Sequence, residues 1–582
     1  SPTINMARDP RWGRNHESYG EDPFLTTQIG SGFVKGMQGD DEKYLKTIAT
    51  VKHYAANNSE YNRHTGDSQM DDRTLREYYT RAFKGVVREA DVASAMSSYN
   101  RVNGIPASAN TYLLDTLLRK TFGFDGYVTS DCGAIQDITE NHKWAPEKLG
   151  RVVTKEESVA YSLMAGCDLD CGSIYPTYAE NAVNTGVLSE DVIDQALLRL
   201  FTARMQTGEF DPAEDVPYRS ETYSFDNQVE NAEHKQLAED SANDTIVLLK
   251  NEAANGESDP ILPLDISAGK NIVMVGGIAD EVVLGGYSGT PSEENTSTPI
   301  QGMEALGADV TYIEGAATAP AGSYICNMRN VIIHKKDGTT VTLKPSDAKE
   351  LVGCRYEAGS GNIGYITPGA TLMYENVDVK NIDSISFEVA GDTSVLPGTI
   401  TVTMDSLSGM QFASVKTEST GGWQTYKELS YTVTDAGGYS TQDLYFSFSM
   451  EYQNVTFTDE ETQQIQNADT VIVCLEGNTS GEGTDRSTIV MPSGQISLIN
   501  TLAQLNPRTV VYLQTVGAVE LGDFMDNVPA ILWTCYNGQA QGNAMARVIC
   551  GEVNPTAKLP FTWYAQNAAL PTIDDYDIRG GE

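Results

Sequence analysis

Short apolar runs separated by amphipathic stretches fill residues 1 to about 225. Ile48-Ala-Thr-Val51, Ala93-Ser-Ala-Met96 and Tyr127-Val-Thr129 read as buried strands. Between the first two, Leu75, Tyr79, Ala82, Phe83 and Val86 fall on one face of a helix that Asp71 or Asp72 would cap. Strand–helix alternation of this kind predicts a parallel sheet, and β/α barrels keep their catalytic groups where such strands end. Here the strands run into Lys52-His53, Tyr99-Asn100 and Ser130-Asp131-Cys132-Gly133. A helix N-cap explains one polar strand end on its own; three in succession point to a site.

The alternation continues further on. Ser241 to Lys250 reads as a helix running into Thr245-Ile-Val-Leu-Leu249, and Ile272-Val-Met-Val275 as a strand. Val471-Ile-Val-Cys474, Thr509-Val-Val-Tyr512 and Ala530-Ile-Leu-Trp533 resume the α/β pattern after residue 459. From about 317 to 458 the period drops to two, as in Ile385-Ser-Phe-Glu-Val389, Thr399-Ile-Thr-Val-Thr403 and Leu444-Tyr-Phe-Ser-Phe448. The expected organisation is therefore α/β with an all-β insert. A (β/α)8-type barrel occupies 1–225 and an α/β sandwich domain 226–316 and 459–582, with a β-sandwich at 317–458 interrupting the latter.

Charge narrows the partners. Forty Lys plus Arg stand against 80 Asp plus Glu, a net charge of −40. Such a polyanion is repelled by phosphate backbones and anionic lipid, so neither nucleic acid nor membrane is an expected partner, whereas a neutral sugar suits the field. No apolar run approaches the ~18 residues of a membrane span. Gly285-Gly-Tyr-Ser-Gly289 follows a strand, but no Gly-Lys-Ser/Thr completes a phosphate cradle. Eight cysteines are too sparse for a disulfide scaffold, and Cys167-Asp-Leu-Asp-Cys171 lacks the second pair a metal site needs. The chain begins Ser1-Pro-Thr-Ile without a signal peptide, so the compartment has to be inferred from function.

Arg8-Asp-Pro-Arg-Trp-Gly-Arg14 with Glu17-Ser-Tyr-Gly-Glu-Asp-Pro23 opens a series of motifs. Lys52-His53-Tyr54 with Asn62-Arg63, Met96-Ser-Ser-Tyr-Asn100 and Ser130-Asp131-Cys132-Gly133 follow. Val247-Leu-Leu-Lys-Asn251, Ser480-Gly-Glu-Gly-Thr-Asp-Arg486 and Asn554-Pro-Thr-Ala-Lys-Leu-Pro560 complete it. In this order they resemble glycoside hydrolase family 3, of the β-xylosidase/β-glucosidase type. The resemblance implies a retaining exo-β-glycosidase acting on non-reducing ends of plant-derived oligosaccharides. Asp131 matches the nucleophile and Glu482 the acid/base, with Glu476 a rival for that role. Arg14, Lys52, His53 and Arg63 match sugar-hydroxyl ligands, and Met96 and Tyr99 the pocket floor. Retention needs two carboxyls about 5–5.5 Å apart. Cationic Lys52, Arg14 and Arg63 are expected to lower the nucleophile's pKa, and a drier, acidic loop to keep Glu482 protonated. Asp485 is expected to pair with Arg486 or a loop amide, and His64 to be an exposed loop residue, with a place in the pocket lining as the alternative. No cofactor or catalytic metal is required.

Cys132 follows the nucleophile where glucose-preferring members commonly carry Trp, and Ala165-Gly-Cys-Asp-Leu-Asp-Cys171 resembles the stretch that pairs with it. The resemblance implies a Cys132–Cys171 disulfide, with Cys167 as alternative partner, in an oxidising compartment, hence a secreted or periplasmic protein. A rigid wall near C5 would crowd the hydroxymethyl of glucose and favour xylose by ~1–3 kcal/mol.

In the insert, Asn362-Ile-Gly-Tyr-Ile366, Tyr374-Glu-Asn-Val-Asp378, Ser419-Thr-Gly-Gly-Trp-Gln-Thr-Tyr426 and Asp443-Leu-Tyr-Phe446 resemble a family 6 carbohydrate-binding module. Trp423 matches its sugar-stacking residue, with Tyr356 and Asn454 as weaker candidates. Such modules often carry a structural calcium, although Lys344-Pro-Ser-Asp-Ala-Lys-Glu350 lacks the expected acids. Expected partners are an oligosaccharide substrate, a polysaccharide bound by the insert, and a second copy in a homodimer. Family members normally extend upstream of the first motif and beyond Gly580-Gly-Glu582. That leaves a β-glucosidase, and a catalytically weak carbohydrate-binding fragment, as the competing expectations.

Overall fold

The computed structural model describes residues 1–582 apart from 268, 316–323, 405–406, 408–410, 434–439, 451–454, 487, 566–569, 572 and 579–582. Near the N-terminus, β1 (Thr50–Tyr54), β2 (Ser94–Ser97) and β3 (Tyr127–Ser130) form a parallel sheet in that order. Thr50 lies opposite Ser94, which in turn lies opposite Tyr127. Single parallel bridges, Thr3 to Lys52 and Thr129 to Leu169, extend the sheet on either side. The expected eight-stranded barrel is not closed among the described residues: three strands and two bridges cannot curl through a full circle.

Packing explains why these segments are strands. Val51, Ala95 and Val128 share one core with Val34, Phe83, Val86, Leu117 and Leu163 from the surrounding helices. The helical turn after residue 71 is capped by the Asp71 side chain, which accepts from the Thr74 amide at 2.7 Å. Beneath β3, buried Asp168 accepts from the Val128 amide (2.9 Å), Arg119 (2.6 Å) and Arg199 (2.8 Å). One carboxylate thus ties β3 to helices Tyr112–Phe122 and Glu190–Gln206.

The second sheet comprises β4 (Val247–Asn251), β5 (Asn271–Val275), β6 (Asp309–Ile313), β7 (Thr470–Leu475), β8 (Thr509–Gln514) and β9 (Ala530–Thr534). Its order is β4-β9-β8-β7-β5-β6, with β4 alone antiparallel to its neighbour. Met274, Ile472 and Tyr512 enter one core and Val273, Val473 and Val511 the other, which is why these strands read as unbroken apolar runs. The expected helix from Ser241 to Lys250 is corrected here. The helix is Ala232–Asn243, and Val247–Asn251 is an edge strand whose pairing with β9 overrides local helical propensity.

Between the two parts of this sheet stand two antiparallel sheets. One contains Asn327–Lys335, Ile382–Gly391 and Gly422–Thr432; the other contains Thr371–Asp378, Gly398–Met404, Gln411–Thr417 and Thr441–Met450. Val331, Phe387, Val402 and Phe446 share the core between them. Among the described residues no helix is long and apolar enough to cross a membrane.

Replacing Asp168 with Ala strands a nearly buried Arg119 without its partner, and we expect a loss of about 3–5 kcal/mol in unfolding free energy. Denaturant unfolding followed by the fluorescence of the first domain checks this; a change below about 1 kcal/mol would show that the brace is dispensable.

Candidate active site

Asp131 lies at the end of β3, where its amide donates to Ser97 O at 3.0 Å. The chain then turns through Gly133 at φ +82°, a region that favours glycine, into helix Ala134–Glu140. The side chain is nearly buried. Its Oδ1 accepts from the Cys132 amide at 2.8 Å, while its Oδ2 is buried without a hydrogen-bond partner among the described residues. Tyr99 donates to Cys132 O at 3.0 Å, and a disulfide joins Cys132 to Cys171, whose carbonyl accepts from the Gly133 amide at 2.8 Å. Cys167 is a free, buried thiol.

A cationic wall stands beside this carboxylate. Arg14, with 0 % exposure, makes two bonds to Glu17 at 2.7 and 2.8 Å and lies 3.2 Å from His53 Nε2. That same Nε2 is 3.5 Å from Asp131 Oδ2. Asn5 clamps the His53 backbone from both sides, accepting at 2.7 Å and donating at 3.0 Å. Burial, then the charges of Arg14, Lys52 and Arg63, hold His53 well below its ordinary pKa, so the ring is neutral. Lys52 Nζ sits 4.1 Å over the ring of Tyr287, and burial with the Arg14 charge lowers its pKa. Met96 is half-buried on β2, opposite Thr129.

Glu482 arrives from the other sheet, on the loop between β7 and helix Ser493–Leu505. Asp485 anchors this loop. Its Oδ1 accepts from the Gly13 amide (2.9 Å) and its Oδ2 from the amides of Glu60 (2.7 Å) and Tyr61 (3.0 Å). Of the two expected partners, Arg486 or a loop amide, Asp485 takes loop amides, while Nη2 of Arg486 donates to the carbonyls of Pro10 and Ala518. Glu60 reciprocates, accepting from the Gly483 amide (3.0 Å), Trp12 Nε1 (3.0 Å) and Arg63 (3.1 Å). Gly13 admits the loop: a Cβ there would stand 1.9 Å from Thr484 O.

The Glu482 carboxylate accepts from Arg63 at 2.8 Å and from the Tyr287 hydroxyl, with Arg14 at 3.9 Å. Both expected pKa shifts are reversed. Burial raises Asp131 in spite of the Cys132 amide, Tyr99, Arg14 and Lys52. Burial also works to raise Glu482, but the bonds from Tyr287 and Arg63 and the charges of Arg14 and Arg63 outweigh it and lower the group. Glu476, half-buried at the end of β7, is pushed up by burial and by Glu281.

Among the sugar-ligand candidates, Arg14, Lys52, His53, Arg63 and Tyr99 gather around these two carboxyls. His64 lies in a loop with its side chain 43 % exposed, as expected, but it also has partners there: Nδ1 lies 2.6 Å from Asp137 and the ring meets Tyr99 edge-on at 4.5 Å. Asn5, Glu60 and Tyr287 carried no recognised signal in the sequence, although Tyr287 sits in the Gly-rich loop dismissed as a phosphate cradle.

In the insert, Trp423 is half-buried and its ring meets Tyr324 at 6.2 Å, which meets Tyr365 at 5.3 Å. Arg355 lies over Tyr365 at 3.7 Å, and strand alternation turns the neighbouring Tyr356 to the other face. Asn454 lies outside the described residues. No group of three or more His, Cys, Asp or Glu gathers among the described residues, so no such ligand set is identified for the calcium ion.

The profile of the Glycosyl hydrolase family 3 N terminal domain matches residues 1–203, and that of the Glycosyl hydrolase family 3 C-terminal domain residues 246–581. A xylan 1,4-β-xylosidase of Xylanibacter ruminicola is 30 % identical over 629 residues, spanning 100 % of this chain and 69 % of that protein. The exo-1,4-β-xylosidase xlnD of Emericella nidulans is 29 % identical over 594 residues, spanning 100 % of this chain and 55 % of its own. Among solved structures, a GH3 exo-β-xylosidase (XlnD) in complex with a xylobiose aziridine probe superimposes with a TM-score of 0.68 at 28 % identity. The match covers 99 % of this chain and 57 % of that one. A β-glucosidase from Listeria innocua in complex with isofagomine shares the fold, with a TM-score of 0.65 at 22 % identity over 98 % of this chain and 60 % of that one. The chain thus spans between 55 and 69 % of the length of these two curated relatives.

Asp485→Ala leaves the amides of Gly13, Glu60 and Tyr61 without their acceptor. At about 1–3 kcal/mol for a buried donor so stranded, hydrogen exchange at the part-buried Gly13 and Glu60 amides should accelerate at least about fivefold, with a smaller change at exposed Tyr61. Unchanged protection at these three amides would mean that the loop is held by other contacts.

Proposed function

The chain belongs to glycosyl hydrolase family 3, and on that footing we propose that it is a retaining, exo-acting β-glycosidase that removes β-xylosyl units from the non-reducing ends of plant-derived oligosaccharides. One observation carries the reading. A buried carboxylate with an unpartnered oxygen, Asp131, and a second carboxylate latched in from another domain, Glu482, flank one cationic wall.

In this mechanism Asp131 Oδ2 attacks the anomeric carbon while Glu482 protonates the departing glycosidic oxygen. Glu482, now ionised, takes a proton from the water that cleaves the glycosyl–Asp131 ester, and configuration is retained. Arg14, Lys52, His53 and Arg63 bind sugar hydroxyls, with Met96 and Tyr99 beneath. In the resting site burial raises Asp131, while the bonds from Tyr287 and Arg63 lower Glu482, shifts opposite in direction to those glycosylation needs. A sugar that displaces Tyr287 from Glu482 removes the bond contributing most to that lowering, so binding itself primes the acid.

The Cys132–Cys171 bridge, set directly after the nucleophile, supports a rigid wall and hence xylose over glucose. The β-xylosidase names of the 30 % and 29 % identical relatives point the same way. The bridge also supports a secreted or periplasmic location. The aromatic group of Trp423, Tyr324 and Tyr365 supports polysaccharide contact by the two-sheet insert.

Glu482→Ala should slow hydrolysis of unactivated xylosides by roughly 10²–10⁴-fold while sparing activated aryl xylosides, and azide should give the β-azide. Equal losses for both substrate classes would move the acid role to Glu476. Tyr287→Phe removes a bond that lowers Glu482, so the basic limb of the kcat/KM–pH profile, where protonated acid is lost, should move to higher pH. A limb that stays put or moves down would detach Tyr287 from the acid. For the sugar itself, kcat/KM should favour xyloside over glucoside about 10–200-fold; a glucoside preference would leave a β-glucosidase.

A further inference from the structure

Resting on the assignment of Glu482 as acid/base, we propose that His64 is a positioning residue. It is held by Asp137 as the Nδ1–H tautomer so that its Nε2 anchors Arg63, which in turn aims at Glu482. Nothing in the reaction scheme above uses His64 or Asp137, yet the two form a side-chain pair at the pocket edge.

Geometry assigns the proton. Asp137 sits on helix Ala134–Glu140, the helix that begins immediately after the nucleophile. Its side chain has only 8 % exposure, and its Oδ1 is taken by Asn141 Nδ2 at 2.5 Å. Its Oδ2 lies 2.6 Å from His64 Nδ1, and an ionised carboxylate can only accept. On the far side of the imidazole, Arg63 Nε lies 3.3 Å from Nε2, and a guanidinium can only donate. One neighbour demands a donor and the other an acceptor. The neutral ring protonated at Nδ1 satisfies both, and the opposite tautomer satisfies neither.

The ring's orientation is fixed as well. His64 meets Tyr99 edge-on at 4.5 Å, and the Arg63 guanidinium lies 4.9 Å over the same Tyr99 ring. With Nε anchored and one face on Tyr99, the guanidinium plane has no free rotation left. Its Nη1 is directed between Glu60 at 3.1 Å and Glu482 at 2.8 Å. The acid/base is thereby placed by its own loop and also, through Arg63, His64 and Asp137, by the helix carried on the nucleophile's strand. Direct proton transfer by His64 is disfavoured, because its one basic nitrogen already faces Arg63.

Two isosteric variants separate the functions of the ring. His64→Asn keeps a donor near Nδ1 and loses the Nε2 acceptor; His64→Gln keeps an acceptor near Nε2. Rates are compared along a series of aryl xylosides of rising leaving-group pKa, with Glu482→Ala measured in parallel and thermal melting recorded for each protein. His64→Asn should lose roughly ten- to a hundredfold in kcat for the poorest leaving groups and little for the best, with the melting temperature nearly unchanged. His64→Gln should recover most of the loss. If Glu482→Ala shows the leaving-group dependence and His64→Asn matches wild type, loses equally across the series, or is not rescued by Gln, the proposal is overturned while the acid/base reading stands. If Glu482→Ala shows no such dependence, the acid/base reading fails and the proposal falls with it.

Discussion

The Asp485 carboxylate is the anchor on which the two halves of this site meet. Asp485, on a loop of the second domain, accepts three backbone amides of the first, and Glu60 returns the contact through the Gly483 amide. Burial raises the Asp485 pKa, with the Glu60 charge acting the same way, against the three amides that favour its charge. The approach is so close that Gly13 has no room for a side chain. Glu482 sits three residues before this anchor, so its distance from Asp131 is set by docking between domains. A carboxyl pair that must be placed to within a fraction of an ångström is built from two separate folding units, and this latch is what makes that tolerable.

The electrostatics of the resting site follow from the same arrangement. Arg14, Lys52 and Arg63 are collected between the carboxyls, and each anion is drawn to whichever cation it can reach. Glu482 reaches Arg63 and Tyr287 and is lowered; Asp131 keeps one bonded oxygen, is buried, and is raised. A neutral His53, wedged between Arg14 and Asp131, adds polarity without another charge. Without sugar the two carboxyls are thus shifted in opposite directions, and Tyr287 is the partner of Glu482 whose displacement by a glycone would relieve the lowering.

Much of this was legible in the sequence because parallel sheets obey simple rules. Buried strands read as apolar runs, and Lys52, His53, Tyr99 and Asp131 were found because they follow such runs. What escaped was non-local or made by the backbone. A loop amide was expected for Asp485, but not that its three amides come from the other domain, and Glu60 lies in a loop without periodicity. His64 looked like a solvent-facing neighbour of Arg63 until Asp137 arrived beside it from 73 positions away. The stretch Ser241–Lys250 was misread because β9, its partner, is remote in sequence. The pKa directions were reversed for the same reason: burial raises Asp131, and bonds from the remote Tyr287 and Arg63 lower Glu482, and neither can be counted from neighbouring letters.

The central claim is that Asp131 attacks the anomeric carbon. A 2-deoxy-2-fluoro-β-xylosyl fluoride slows the second displacement and lets the glycosyl–enzyme ester accumulate. Digestion and peptide mass mapping of the inactivated protein should place one fluoroxylosyl group on Asp131, with none on Glu482. Labelling at another carboxylate, or sustained turnover of unactivated xylosides by a protein that never accumulates the ester, would contradict the account.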